Sequence, residues 1–160
     1  MIPSNKGLTI IELVVVIVVL GLAIPPLLTM WANVAWRSAA SELLADSAFY
    51  AQQLMEEIKS KDFVDPDDPN NTNLGVNSGE SSNDRTTFDD VDDFAGCADA
   101  SVTTPAAGYT RSTAVDYVNL SGSAWQMSGS PTDYKRIVIT VSRSGGAAIP
   151  VSLTALVSSH

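Results

Sequence analysis

From Leu13 to Leu28 every residue is apolar, glycine or proline, and after Thr29 the run resumes with Met30, Trp31 and Ala32. As a helix, the 20 residues from Leu13 to Ala32 span about 30 Å, the thickness of a bilayer core. The pattern predicts a helix that enters a membrane. A secretory signal has a shorter apolar stretch, about 7–15 residues, with a small-residue cleavage site directly after it. Here the passable site, Ser38-Ala39-Ala40, lies well beyond the run. Glu12 heads the apolar segment, where a carboxylate deep in a spanning helix costs about 2.5–3.5 kcal/mol and calls for a partner. Pro25 and Pro26 lack the N–H of the helical ladder and crowd the preceding turn, so a kink is expected there.

Beyond residue 33 the pattern turns amphipathic. Leu44, Ala48, Ala51, Met55 and Ile58 recur at spacings of 4, 3, 4 and 3, one face of a helix, and Ala40 and Leu43 extend it backward. Lys59 and Lys61 suit the negative end of the helix dipole. Asp65-Pro66 and Asp68-Pro69 stop the helix, because a residue before proline avoids helical angles. One helix is therefore expected from Leu8 to Asp62, apolar all round in its first half and striped in its second, with a head resting on the striped half.

Residues 109–160 read as sheet. Ile137, Ile139 and Val141 alternate with Arg136, Val138, Thr140 and Ser142, and Ile149, Val151, Leu153, Ala155 and Val157 share a second face. Val115, Tyr117 and Val118 mark a strand within Tyr109–Leu120, and Ser144-Gly145-Gly146 is the expected hairpin turn. The fold class is α+β: a long N-terminal helix, transmembrane half plus amphipathic half, packed on a head of three or four antiparallel strands. The expected organisation is a leader at 1–7, a transmembrane helix at 8–32, an amphipathic helix at 33–62, an acidic loop region at 63–108 and a sheet at 109–160.

Charge and composition remove many functions. Eighteen acidic residues against nine basic ones give a net charge of −9, unsuited to a general phosphate-contact surface, so no nucleic-acid partner is expected. The single cysteine, Cys97, excludes an internal disulfide, and the single histidine, His160, leaves no material for a histidine triad or a multi-histidine metal centre. No Walker loop, nucleophile elbow, HExxH or GxGxxG is present, and enzymatic activity is not expected. The acids concentrate between Glu56 and Asp99, with 13 acids against 3 bases. Within Phe88-Asp89-Asp90-Val91-Asp92-Asp93-Phe94, the carboxylates Asp89, Asp90, Asp92 and Asp93 are candidate calcium ligands, since a hard cation relieves their repulsion. The stretch lacks the glycine and distal glutamate of the common calcium loop. Its other reading is a solvated acidic loop with Phe88, Val91 and Phe94 tucked inward, and no cofactor is the default expectation.

Lys6-Gly7 followed by Leu8-Thr9-Ile10-Ile11-Glu12-Leu13 resembles the processing signal of type IV pilins and of the pseudopilins of type II secretion. The family commonly has Phe or Met at the position of Leu8. The resemblance implies a pilin-like fold, cleavage after Gly7 by prepilin peptidase, and methylation of the new amine on Leu8. It gives Glu12 the role of the acidic group needed for assembly, and sets Gly21 where the helix of packed subunits loosens. It implies a bacterial inner-membrane protein with a single pass and a periplasmic head, later part of a filament of other pilin subunits. The phrase Phe-Asp-Asp-Val-Asp-Asp-Phe-Ala-Gly at 88–96 resembles a segment of minor pilins of the mannose-sensitive haemagglutinin (MSHA) D type. The alternatives are a type II secretion pseudopilin and a membrane-anchored periplasmic domain that does not polymerise.

Overall fold

The computed structural model describes residues 7, 9–70, 72–144 and 149–159. Its elements are helix α1 (Ile10–Lys59), short helix α2 (Ala100–Thr103), and strands β1 (Tyr109–Ser121), β2 (Ala124–Met127), β3 (Tyr134–Arg143) and β4 (Val151–Ser158). Two 3-10 turns, Arg85–Thr87 and Asp92–Phe94, punctuate the long connection before α2. The chain divides into two compact units, Met1–Glu42 and Leu43–His160, and α1 runs across the boundary.

In the first unit α1 is long and apolar enough to cross a membrane: its most apolar window has a mean hydropathy of 2.7 and none of it is buried. Pro25 and Pro26 lie inside the helix without ending it. Each missing N–H leaves one carbonyl of the preceding turn without its ladder partner. The Thr29 hydroxyl donates to the Pro26 carbonyl at 2.9 Å.

The second unit is an α+β layer pair. Ser47, Ala51, Leu54, Met55 and Ile58 of α1 are buried, at spacings that keep them on one helical face. This corrects the expected stripe in two places. Leu44, one turn before the first buried residue, is 56% exposed, and Leu54, absent from the expected stripe, is fully buried. The helix also stops at Lys59, three residues short of Asp62. Ser60 and Lys61 close it with i−3 bonds to Glu57 and Ile58, and Asp62 then leaves to form a bridge with Asp90.

The four strands form an antiparallel sheet in the order β2-β1-β3-β4. β1 and β2 join through Gly122-Ser123, and Gly122 has φ 66°, the positive angle that two-residue hairpins need. The alternation of β3 holds: Ile137, Ile139 and Val141 are fully buried, and Lys135 falls on the same parity at 1% exposure. On β1 the matching positions are Tyr109, Arg111 and Val115. Ile149 is 82% exposed and outside β4, which begins after Pro150, a residue with no N–H for the ladder. Gly145 and Gly146 of the expected turn lie outside the described residues; the antiparallel β3–β4 pairing they were to join is present.

Ala51, Leu54, Met55 and Ile58 meet Ile137, Ile139 and Val141 together with Phe88, Val91, Phe94 and Val102 from the connection. Each large side chain here contributes about 1.5–3 kcal/mol by leaving water. The predicted inward trio Phe88, Val91 and Phe94 is buried, with the two phenyl rings edge to face at 5.1 Å. Arg111 of β1 ties three elements together: its Nε donates to the Val102 carbonyl of α2 at 2.6 Å and its guanidinium to the Tyr50 carbonyl of α1 at 2.8 Å.

Candidate functional site

Two places carry candidate functional residues. At the start of α1, Gly7 is exposed with open space around its Cα, and Leu8 lies outside the described residues. Thr9 precedes the first helical residue, Ile10. Its carbonyl accepts from the backbone N–H of Glu12 at 3.1 Å and of Leu13 at 3.2 Å. The Thr9 hydroxyl also accepts from the Glu12 N–H, at 3.4 Å. Thr9 thereby caps the helix, and Glu12 stands three residues on, where a capping box places glutamate; the bond it makes to Thr9 here is through its backbone N–H. A carboxylate in this first turn also meets the positive end of the helix dipole, worth about 0.3–1 kcal/mol. Glu12 thus has a local role in addition to the one the pilin resemblance gives it. Gly21 sits inside α1, exposed, with nothing within 4 Å of the place a Cβ would take.

The second place is the acidic connection, whose carboxylates are not a solvated fringe. Asp65, Asp90, Asp92 and Asp93 are buried, at 6%, 2%, 2% and 0% exposure. Each replaces water with named donors, as burial of a charge demands. One oxygen of Asp65 accepts from the N–H groups of Asp67 and Asp68, and the other from the Asn77 side chain at 2.9 Å. Asp90 Oδ1 accepts from the N–H of Asp92 at 2.7 Å and of Asp93 at 3.2 Å. Asp93 Oδ2 accepts from the N–H of Asp89 at 2.8 Å and of Asp90 at 3.0 Å. The alternating aspartates thereby wrap the backbone of 89–93 around itself.

Asp92 faces the sheet. Its Oδ1 pairs with Lys135 Nζ and its Oδ2 accepts from the Gly75 N–H at 3.2 Å. Lys135 also donates to the Phe63 carbonyl and sits 4.7 Å from the Phe63 ring centre and 5.5 Å from that of Tyr117. The pair joins β3 to the connection. Arg85 makes a second tie, gripping both carboxylate oxygens of Glu57 on α1, with Nε to Oε1 at 2.6 Å.

Of the four aspartates expected as calcium ligands, the fold separates two from the others. Asp90 is engaged with backbone donors and Asp92 with Lys135, whereas Asp89 and Asp93 converge with Glu80, one carboxylate oxygen from each lying within 4.8 Å of the others. Glu80 Oε2 accepts from the Asn77 N–H at 2.6 Å. Burial pushes the Glu80 carboxyl up to about 7; the Asn77 N–H opposes this, and the neighbouring Asp93 and Asp89 add to it. Burial likewise raises Asp89, with Asp65, Asp93 and Asp67 contributing and Lys61 opposing. Asp90 is pushed up to about 7 by burial, then by Asp92 and Asp93, against Lys135. Asp89 Oδ1 and Asp93 Oδ1 are buried with no hydrogen-bond partner.

The chain matches no family model, no curated protein and no solved structure.

Sequence reasoning missed Glu80 and Lys135. Lys135 was legible: it lies two residues before Ile137 on the buried parity of β3. Glu80 had no local signal, standing nine residues before Asp89 in a Ser- and Asn-rich stretch. Cys97 is partly buried against the core, and burial raises its thiol, which suits a packing role.

Proposed function

We propose that this chain is a minor subunit of a type IV pilus of the MSHA kind. In this reading prepilin peptidase cleaves it after Gly7, Leu8 is methylated, and assembly proceeds through the N-terminal half of α1. The single observation that carries the reading is the sequence Lys6-Gly7-Leu8-Thr9-Ile10-Ile11-Glu12 set directly before an apolar helix whose side chains find no cover within the chain. The α+β head, with an antiparallel sheet packed on the amphipathic part of the same helix, supports it. The protein is a structural subunit without enzymatic activity, held in the inner membrane with its head in the periplasm until neighbouring pilins take it into the filament.

Glu12 is the decisive residue. In a staggered stack, the Glu12 carboxylate of one subunit meets the Leu8 amine of the next. Either charge alone in an apolar setting costs several kcal/mol, so the pair sets register. The place of Glu12 three residues after the N-cap Thr9, where a capping box sets glutamate or glutamine, offers a competing, purely local reason for the same residue. Glutamine serves at the last position of that box as well as glutamate, but carries no charge. Glu12→Gln and Glu12→Ala should both reach the membrane and both be missing from sheared filaments. The loss is about 100-fold or more, taking 3 kcal/mol for an unpaired amine. If Glu12→Gln enters filaments as the unaltered protein does while Glu12→Ala does not, Glu12 is a helix cap and the pairing role is wrong.

A further inference from the structure

We propose that Glu80, Asp89 and Asp93 form a binding site for one calcium-class divalent cation that fastens the acidic connection of the head. This rests on the head alone and is independent of the filament reading.

Two observations point to a ligand. One is convergence: three carboxylates from separate points of the connection bring an oxygen each to within 4.8 Å of one another. The other is an orphan. Asp93 is completely buried; its Oδ2 satisfies two backbone N–H groups, while its Oδ1 has no hydrogen-bond partner among the described residues, and the Glu80 carboxyl beside it can donate to Asp93 only while it holds a proton. The Oδ1 of Asp89 is likewise buried without a hydrogen-bond partner among them. A buried carboxylate oxygen without a donor costs its full desolvation, and like charges at this range add to the cost. The other buried aspartates of the connection, Asp65, Asp90 and Asp92, have no such orphan oxygen, so the deficiency is confined to the point where the three acids meet.

The chemistry selects the ion. An all-carboxylate set with no imidazole or thiolate is a hard-cation site and a poor zinc site. Two ligands of one ion are separated by at most twice the bond length, about 4.6–5.2 Å for calcium and about 4.0–4.2 Å for magnesium. All three oxygens lie within the span that one calcium ion bridges, and magnesium, which dehydrates reluctantly and keeps several waters, is the poorer match to three protein carboxylates. Three carboxylates leave half or more of a shell of about 6–8 oxygens to water. Lys61, whose charge opposes the rise at Asp89, donates to the Phe88 carbonyl.

The consequence is structural. Asp93 caps the backbone of 89 and 90, and Asp62 bridges to Asp90, so a cation at Asp93 holds the exit of α1 and the connection together. Glu80 brings in the 77–80 turn through the Asn77 N–H.

The test uses the full-length protein in mild detergent, dialysed against chelator and titrated with calcium chloride in a calorimeter and in a thermal melt. The unaltered protein should bind one calcium and melt higher with rising calcium, by the linkage between binding and stability. The double variant Glu80→Gln/Asp89→Asn spares the Asp93 cap. It should fold, melt at or above the chelated wild type, and lose the calcium-dependent shift. Asp67→Asn/Asp68→Asn, two exposed acids nearby, should keep the shift. Absence of heat and shift at 5 mM calcium (about 5 mM being ample for even a weak extracellular-type site), or an equal shift in the double variant, would overturn the proposal. So would an equal response to magnesium chloride alone, which would remove the choice of ion.

Discussion

Replacing Lys135 by methionine keeps the apolar stem and removes the charge. Lys135 is 1% exposed and Asp92 2% exposed, so water screens neither. The substitution leaves the Asp92 carboxylate buried, with the Gly75 N–H at 3.2 Å as its donor among the described residues, and frees the Phe63 carbonyl. Removing one partner of a buried ion pair costs about 3–5 kcal/mol, because an uncompensated charge stays behind. A domain of ordinary size is stable by only about 5–15 kcal/mol, so the loss is a large share of the total. With a urea dependence of about 2 kcal/mol/M, the midpoint falls by about 1.5–2.5 M. The assay is a urea melt of the full chain in detergent followed by near-ultraviolet circular dichroism, with Asp92→Asn and the double variant beside it. Since Asp92→Asn removes the charge that Lys135→Met strands, the double variant should cost less than the sum of the single ones by about 1 kcal/mol or more. A Lys135→Met midpoint within 0.5 M of the unaltered protein (about 1 kcal/mol), or strict additivity, would refute the pairing as the reason for the buried lysine.

Two further outcomes follow from the connection. Asp99 caps α2 by accepting from the Ser101 N–H at 2.7 Å and also takes the Arg85 N–H at 2.8 Å, and these bonds, the Arg85 one foremost, lower its carboxyl from 3.8. A lowered carboxylate stabilises the fold above its unfolded value and loses that contribution as pH falls through the folded one; the advantage of the unaltered protein over Asp99→Asn should therefore be full at pH 6 and shrink below about pH 4. Cys97, raised by burial, should react with iodoacetamide at pH 8 more slowly than glutathione and at the free-thiol rate once urea unfolds the head; equal rates in the folded protein would contradict its packing against the core.

The long helix and the sheet were legible because periodicity is a local property. The all-apolar segment, the face ending at Met55 and Ile58, and the alternation of Ile137, Ile139 and Val141 all appear in the fold. Leu44 misled because its spacing fits the face while the head's packing begins one turn later, at Ser47. β2 had no alternation to read: all four of its residues are exposed, and only the Gly122 turn and the register to β1 create it. Charge density alone leaves the acidic connection with two readings, a solvated loop or a calcium site. The fold instead feeds its aspartates with their own backbone N–H groups, an arrangement set by three-dimensional closure. For the same reason Glu80 could not be joined to Asp89 and Asp93 from sequence, while Lys135 could have been placed by parity alone.

The start of the mature chain tests the filament account most directly. The protein should be extracted from the membrane of its native host and its intact mass and N-terminal sequence measured. The account predicts a chain beginning at Leu8 and heavier by one methyl group on the amine. A chain beginning at Met1, with residues 1–7 still attached, would contradict it and leave an anchored domain that does not enter filaments.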